Sequence, residues 1–202
     1  MTLLERVFKT TRQLDRLDKA LADSLLNSSR YFTGVLGEPI RDNSGFLFPG
    51  EDGLLSSLKV SYEVDNKFLG KIYAMVVDGK VAAGSTNCSS ENAELCYSGM
   101  ILKGSPFFKR SRQKGNGQAG YLVKSLNQDQ RILDMCKSLD TEFLRVFFDP
   151  KQGAWRIQIR PYGGSVVVLM FPPMRYKVML PKGHAKGMYT VLKSIASVIQ
   201  KL

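Results

Sequence analysis

Histidine is almost missing from this sequence. His184 is the only one in 202 residues, so any histidine-based nucleophile, general base or proton relay would have to be built on it alone. It stands in Pro181-Lys182-Gly183-His184-Ala185-Lys186-Gly187, at the head of an amphipathic stretch, where a helix-start or solvent-facing role is expected. Cysteine is scarce as well. Cys88, Cys96 and Cys136 are odd in number and widely spaced, which suits reduced thiols better than a disulfide framework and offers no zinc-ligand spacing. A cytoplasmic location, no metal and no cofactor are therefore expected. Glu91 and Glu94 lie close together, but nothing in the sequence supplies a partner that would tune them for acid–base work, so a solvated loop is expected there and no catalytic residue is assigned.

Long apolar runs are absent too. The longest, such as Val166 to Met174, reach about half of the roughly eighteen residues that a membrane-spanning helix needs, so no transmembrane segment is expected. Charges enter within a few residues of Met1, and no apolar leader core forms.

The last absence is of carboxylates. From Pro150 to Leu202 there are nine Lys or Arg and no Asp or Glu. The net charge of +11 is correspondingly lopsided: residues 1–50 sum to +1, residues 51–100 to −3 and residues 101–202 to +13. A one-sided field of this kind gathers anionic partners.

What is present reads as one α+β domain over residues 1–202, a mainly antiparallel sheet with an N-terminal helix, a mid-chain helix and a C-terminal amphipathic helix packed on it. Thr2-Leu3-Leu4-Glu5 has the form of a capping box, and Leu14, Leu17, Leu21 and Leu25 continue one apolar stripe. Residues 30–57, rich in Gly, Pro, Asn and Ser, predict an irregular wrapping segment. Alternation from Val60 to Val64 and the run from Phe68 to Val77 predict strands that end in a hairpin turn at Asp78-Gly79. Residues 84–99 read as loop, 97–103 as a strand and 127–139 as a helix.

The last sixty residues predict four strands, Glu142–Phe148, Ala154–Tyr162, Val166–Phe171 and Arg175–Leu180. Tight connections at 149–153 and Gly163-Gly164 would join antiparallel neighbours, and a final helix would carry Met188, Val191, Leu192, Ile195, Val198, Ile199 and Leu202 on one stripe.

Gly115, Gly117 and Gly120 show the spacing G-x-G-x-x-G. The ten residues before Gly115 are not an apolar strand, however, and Tyr121-Leu122-Val123-Lys124 lacks a helix-start signal, so a dinucleotide site is not expected. What remains is a basic flexible loop over residues 104–120 carrying Lys109, Arg110, Arg112 and Lys114, whose forks and amides suit phosphates.

A hairpin about Pro150–Gly153 would also place Phe147 across from Arg156, Arg145 from Gln158 and Phe143 from Arg160. Aromatic rings among guanidiniums suit stacking of bases over a charged track, with Phe143 and Phe147 as the stacking platform. Val167, Leu169 and Phe171 fall on the same face, and a strand apolar on both sides is usually covered on both.

The leading expectation is thus an uncharacterised, non-enzymatic protein that binds nucleic acid or another polyanion through these residues. The alternative is a module in which the N-terminal helix and an apolar sheet face enclose a groove with a basic rim, taking an acidic protein or an anionic amphipathic ligand.

Overall fold

The computed structural model describes residues 3–42, 44–50, 53–81, 91–99, 104–110 and 120–202, with side chains of the first helix described from Lys19 onward. Thr2 and the side chains of Leu14 and Leu17 fall outside these residues. Helix α1 runs Leu3–Leu36, so the helical stripe continues past Arg30 through Phe32, which is fully buried and tilts against Phe48 at 6.1 Å between ring centroids. The irregular segment expected over 30–57 is instead the end of α1 followed by β1 (Ile40–Asp42) and β2 (Gly45–Pro49). Phe46 and Phe48 face the core opposite Val60 and Leu58, which makes the glycine-rich stretch a strand despite its composition.

Strands β3 (Leu55–Lys67) and β4 (Gly70–Val81) form the long central hairpin. Its turn lies at Phe68-Leu69. Asp78-Gly79, predicted as the turn, sits inside β4. Two tertiary constraints override the local signal: Asp78 is buried against a half-buried arginine, described below, and Gly79 lies where a Cβ would stand 3.3 Å from Leu55 and 3.4 Å from Leu192.

Residues 92–97, expected as loop, form strand β5 (Asn92–Tyr97), with β6 (Pro106–Lys109) beside it. Ser98 and Gly99 leave the strand where another was expected to run from Tyr97, and residues 100–103 lie outside the described set. The mid-chain helix is two, α2 (Tyr121–Gln128) and α3 (Gln130–Ser138). The break is at Asp129, whose carboxylate accepts from the amides of Arg131 and Ile132 and so starts α3 afresh.

The four C-terminal strands are present, β7 (Thr141–Asp149), β8 (Ala154–Pro161), β9 (Val166–Leu169) and β10 (Met174–Lys177), with β9 ending two and β10 three residues before the predicted bounds, and α4 (His184–Ile199) follows. Their connectivity differs in one respect. β7 and β8 form a hairpin, but β8 and β9 do not pair with each other. Both run antiparallel to β4, β8 beside Val77–Lys80 and β9 beside Gly70–Tyr73, so Gly163-Gly164 is an in-line break and not a turn between neighbours. Gly164, at φ +81°, bends the chain there, its amide donating to the Val178 carbonyl at 2.7 Å, and a Cβ would meet the Met75 sulfur at 2.6 Å.

The ten strands make one antiparallel sheet of order β1-β2-β3-β4-β8-β7-β5-β6, with β9 and β10 branching from the other half of β4. Leu58, Val60, Met75, Val77, Leu144, Val146, Ile157 and Ile159 face the helices and are buried, and Met188, Val191, Leu192, Ile195 and Ile199 of α4 meet them. The outermost strands are short or tied down. β1 has three exposed residues. Phe108 of β6 gives its amide to Asn127 Oδ1 at 2.7 Å and receives Asn127 Nδ2 on its carbonyl at 2.8 Å. From β10, Arg175 donates to the Ala20 carbonyl at 2.9 Å.

Candidate functional site

The register predicted for β7 and β8 holds: Phe147 opposes Arg156, Arg145 opposes Gln158 and Phe143 opposes Arg160. The guanidiniums do lie among the aromatic rings, Arg145 at 4.2 Å from the Phe143 centroid, Arg160 at 5.8 Å from the same ring and Arg156 at 5.9 Å from that of Phe147. The carboxylates around them, however, were not legible in the sequence. Arg156 grips Asp78, Nε donating to Oδ1 at 3.1 Å and Nη2 to Oδ2, while Nη1 reaches Asp149 at 3.4 Å. Gln158 donates to the same Asp78 at 2.8 Å. The Asp78 hydrogen bonds hold the Arg156 guanidinium above its ordinary value, outweighing its partial burial.

Arg145 pairs with Glu94 at 3.4 Å. Arg160 pairs with Asp65, and its Nε lies 3.2 Å from Glu142 without hydrogen-bond alignment. Charge that the composition suggested was free to meet phosphates is thus matched within the sheet. Val167 and Leu169 of β9, half-buried opposite Ile72 and Gly70, continue the same face, while Phe171 lies beyond the strand and is exposed.

The basic loop is described only at its ends. Lys109 and Phe107 project from β6, whose four residues take the place of loop at the start of the 104–120 segment, and Arg110 follows half-buried. Arg112, Lys114, Gly115 and Gly117 lie outside the described residues.

Gly120 does open a helix, against expectation. The missing start signal is supplied from elsewhere in the chain, by Glu91, whose carboxylate accepts from the Leu122 amide at 2.9 Å. A Cβ on residue 120 would stand 2.2–2.4 Å from that carboxyl group, so the glycine is what lets the acid approach. The anion-binding end of α2 is therefore taken by the protein's own carboxylate, and Glu91 is a cap where a solvated loop was expected. Glu94 likewise has a partner in Arg145.

His184 begins α4, half-buried, its amide donating to the Pro181 carbonyl at 3.1 Å. Neither Cys96, half-buried, nor Cys136, buried, is in a disulfide. Among the described residues no cluster of His, Cys, Asp or Glu has the arrangement of a metal site, and no helix is long and apolar enough to cross a membrane.

A groove lies on the helical side. Gly187 lets Leu139 come within contact of α4, a Cβ there standing 3.0 Å from Leu139 Cδ2, and from this closure α3 and α4 open into a groove of about 620 Å³ that reaches Val35 of α1 and Leu54. Its floor is apolar, with Met135, Tyr189 and Val198 beside Val35 and Leu54.

Arg131, Lys186, Lys193 and Lys201 line it against one carboxylate, that of Asp129, which caps α3 and lies 3.7 Å from the exposed Arg131 guanidinium. The Lys193 ammonium lies 5.4 Å from the Tyr189 ring centroid. Thr190 and Ser194, which also line it, donate their hydroxyl protons to the carbonyls of Lys186 and Thr190, both at 2.9 Å. The sequence carried a signal for this site in α4: with the buried stripe removed, Lys186, Lys193 and the hydroxyls fall together on the remaining face.

Comparison with known proteins adds a family and little chemistry. The model of the family described as "Protein of unknown function (DUF3156)" matches residues 37–199, and the chain belongs to that family. The match begins immediately after α1 and takes in the sheet and the groove-forming α3 and α4. No curated protein and no solved structure matches.

Proposed function

We propose that this member of the DUF3156 family is a non-enzymatic binding module that takes an anionic amphipathic molecule, an acyl chain with an acidic head, in the groove between α3 and α4. The observation that carries it is the groove's composition, an apolar floor of Val35, Leu54, Met135, Tyr189 and Val198 under a rim of four cations and one carboxylate. A volume near 620 Å³ lies within the roughly 300–1,000 Å³ usual for small-molecule sites. The floor supplies affinity by removing apolar surface from water, and the rim chooses the sign of the head group. Binding of nucleic acid through Lys109, Arg110, Arg112 and Lys114 remains a second reading. It is favoured by the +13 charge of residues 101–202 but loses the support of Arg145, Arg156 and Arg160, which are held by carboxylates.

Titration calorimetry with dodecanoate and with dodecyltrimethylammonium, below their micelle concentrations, tests the proposal. Dodecanoate should bind and the cation should not, and Arg131→Ala/Lys193→Ala should weaken dodecanoate by about tenfold or more, equivalent to about 1.4 kcal/mol. Equal binding of the two amphiphiles, or an unaffected double variant, would refute it. Salt-sensitive binding of a generic oligonucleotide without dodecanoate binding would replace it with the polyanion reading.

A further inference from the structure

Two hairpin turns break the chemistry expected of turns. Surface turns are normally built from Gly, Asn, Asp, Ser and Pro. Here the β3–β4 turn presents Phe68 and Leu69, and the β9–β10 turn presents Met170, Phe171 and Met174 around Pro172-Pro173. Phe68 is 96% exposed, Phe171 79%, Met170 65%, Leu69 52% and Met174 51%. Scattered exposed apolar residues need no explanation, but five on adjoining turns form one patch.

The two turns are locked into a single tip. Gly70 opposes Leu169, the Met170 amide donates to the Leu69 carbonyl at 2.8 Å, and residue 70 has no room for a Cβ, which would stand 2.2 Å from the Val168 carbonyl oxygen. Behind the apolar tip stand two exposed cations on the first hairpin, Lys67 and Lys71, while Arg175 on the second holds the Ala20 carbonyl.

We infer that this tip docks the protein on an anionic lipid surface, Phe68 and Phe171 entering the headgroup–acyl boundary while Lys67 and Lys71 meet the lipid phosphates and carboxylates. The shape favours a bilayer over a protein partner. A side chain as exposed as Phe68 stands off the surface, where a bilayer interface accepts a projecting ring without needing a matching pocket. The backbone is suited to partial dehydration, since Pro172 and Pro173 carry no amide proton and the Leu69 carbonyl already holds the Met170 amide. The charge is complementary, as basic residues next to an inserting apolar element add attraction to anionic lipid. This surface shares no residue with the groove of the proposed function, and either can fail without the other.

The test is flotation of the full chain with phosphatidylcholine vesicles, with and without phosphatidylserine. Binding should appear with phosphatidylserine and fall with salt, and Phe68→Ser/Phe171→Ser should lower the partition coefficient by about tenfold or more. Because both side chains are exposed, the double variant should keep the wild-type thermal transition and the wild-type dodecanoate isotherm. In Phe171→Trp, the emission of the introduced indole should shift to the blue on vesicles. Vesicle binding unchanged in the double variant, an unshifted emission from the introduced indole, or no binding to either vesicle would overturn the inference. So would a concentration-dependent dimer that the double variant abolishes in the absence of vesicle binding, which would make the tip a contact between copies.

Discussion

Arg156 and Asp78 are unequal partners, and removing them one at a time should reveal it. The Asp78 side chain is 7% exposed, whereas that of Arg156 is 25% exposed. Arg156→Met leaves the carboxylate in the sheet with the Gln158 amide at 2.8 Å. Stranding one member of a buried pair costs about 3–5 kcal/mol, and the partial exposure of the arginine places this case near 3 kcal/mol. Asp78→Ala leaves a guanidinium that still reaches Asp149 at 3.4 Å and water, so its cost should be about 1–2 kcal/mol.

Replacing both as Asp78→Ala/Arg156→Met removes the stranded charge altogether and should cost less than the two single changes together, with a coupling of about 1–3 kcal/mol. Urea unfolding of the full chain at neutral pH measures all three, and the Arg156→Met transition should also fall by about 6–12 °C. An Asp78→Ala variant as unstable as Arg156→Met, or strict additivity, would refute the idea that this cluster is a closed structural pair. It would then return Arg156 to the set of cations free for an external anion.

Two further outcomes follow from local geometry. Gly120→Ala should push Glu91 off the start of α2 and cost about 1–2 kcal/mol, and adding it to Glu91→Ala should cost almost nothing more; independent effects in a thermal melt would contradict the contact. Burial lifts the phenols of Tyr62 and Tyr97 above their ordinary value of 10.0. Below that value both states hold the protons; above it the unfolded chain ionises first, so stability should fall as pH rises from about 10 through the folded values. Tyr62→Phe/Tyr97→Phe should flatten the fall in urea midpoint between about pH 9 and about pH 11, and an unchanged slope would count against this assignment.

The architecture was legible where the pattern is local and repeated. The β7–β8 register could be read residue by residue because an alternating run, a short polar turn and a second alternating run fix one another. The buried stripe of α4 was equally plain. What escaped the sequence was decided at long range. Asp78-Gly79 carries a strong turn signal that yields to partners far along the chain, Arg156 and Leu192. The start of α2 depends on Glu91, and the break before α3 on a single aspartate in an otherwise continuous helical pattern. The candidate site suffered most. Sequence showed where the positive charge was dense, but not that Asp65, Asp78, Glu94, Glu142 and Asp149 meet the sheet arginines, nor that α3 and α4 part to make a groove.

The short β1, the Asn127 amide on Phe108 and the Arg175 contact from β10 to α1 have a joint consequence for the protein in a crowded solution. An open sheet is a template: any unpaired run of amides and carbonyls at its margin can recruit another chain and begin a fibril. Here one margin is three residues long and bears Arg41 and Asp42, another has its backbone groups at Phe108 engaged by a side chain that mimics a neighbouring strand, and the third is anchored to a helix. A large antiparallel sheet can thereby remain open at its margins without offering long unpaired edges among the described residues. Asn127, which lines neither the groove nor the hairpin tip, becomes a residue whose loss would be felt first as a tendency to self-assemble into aggregates.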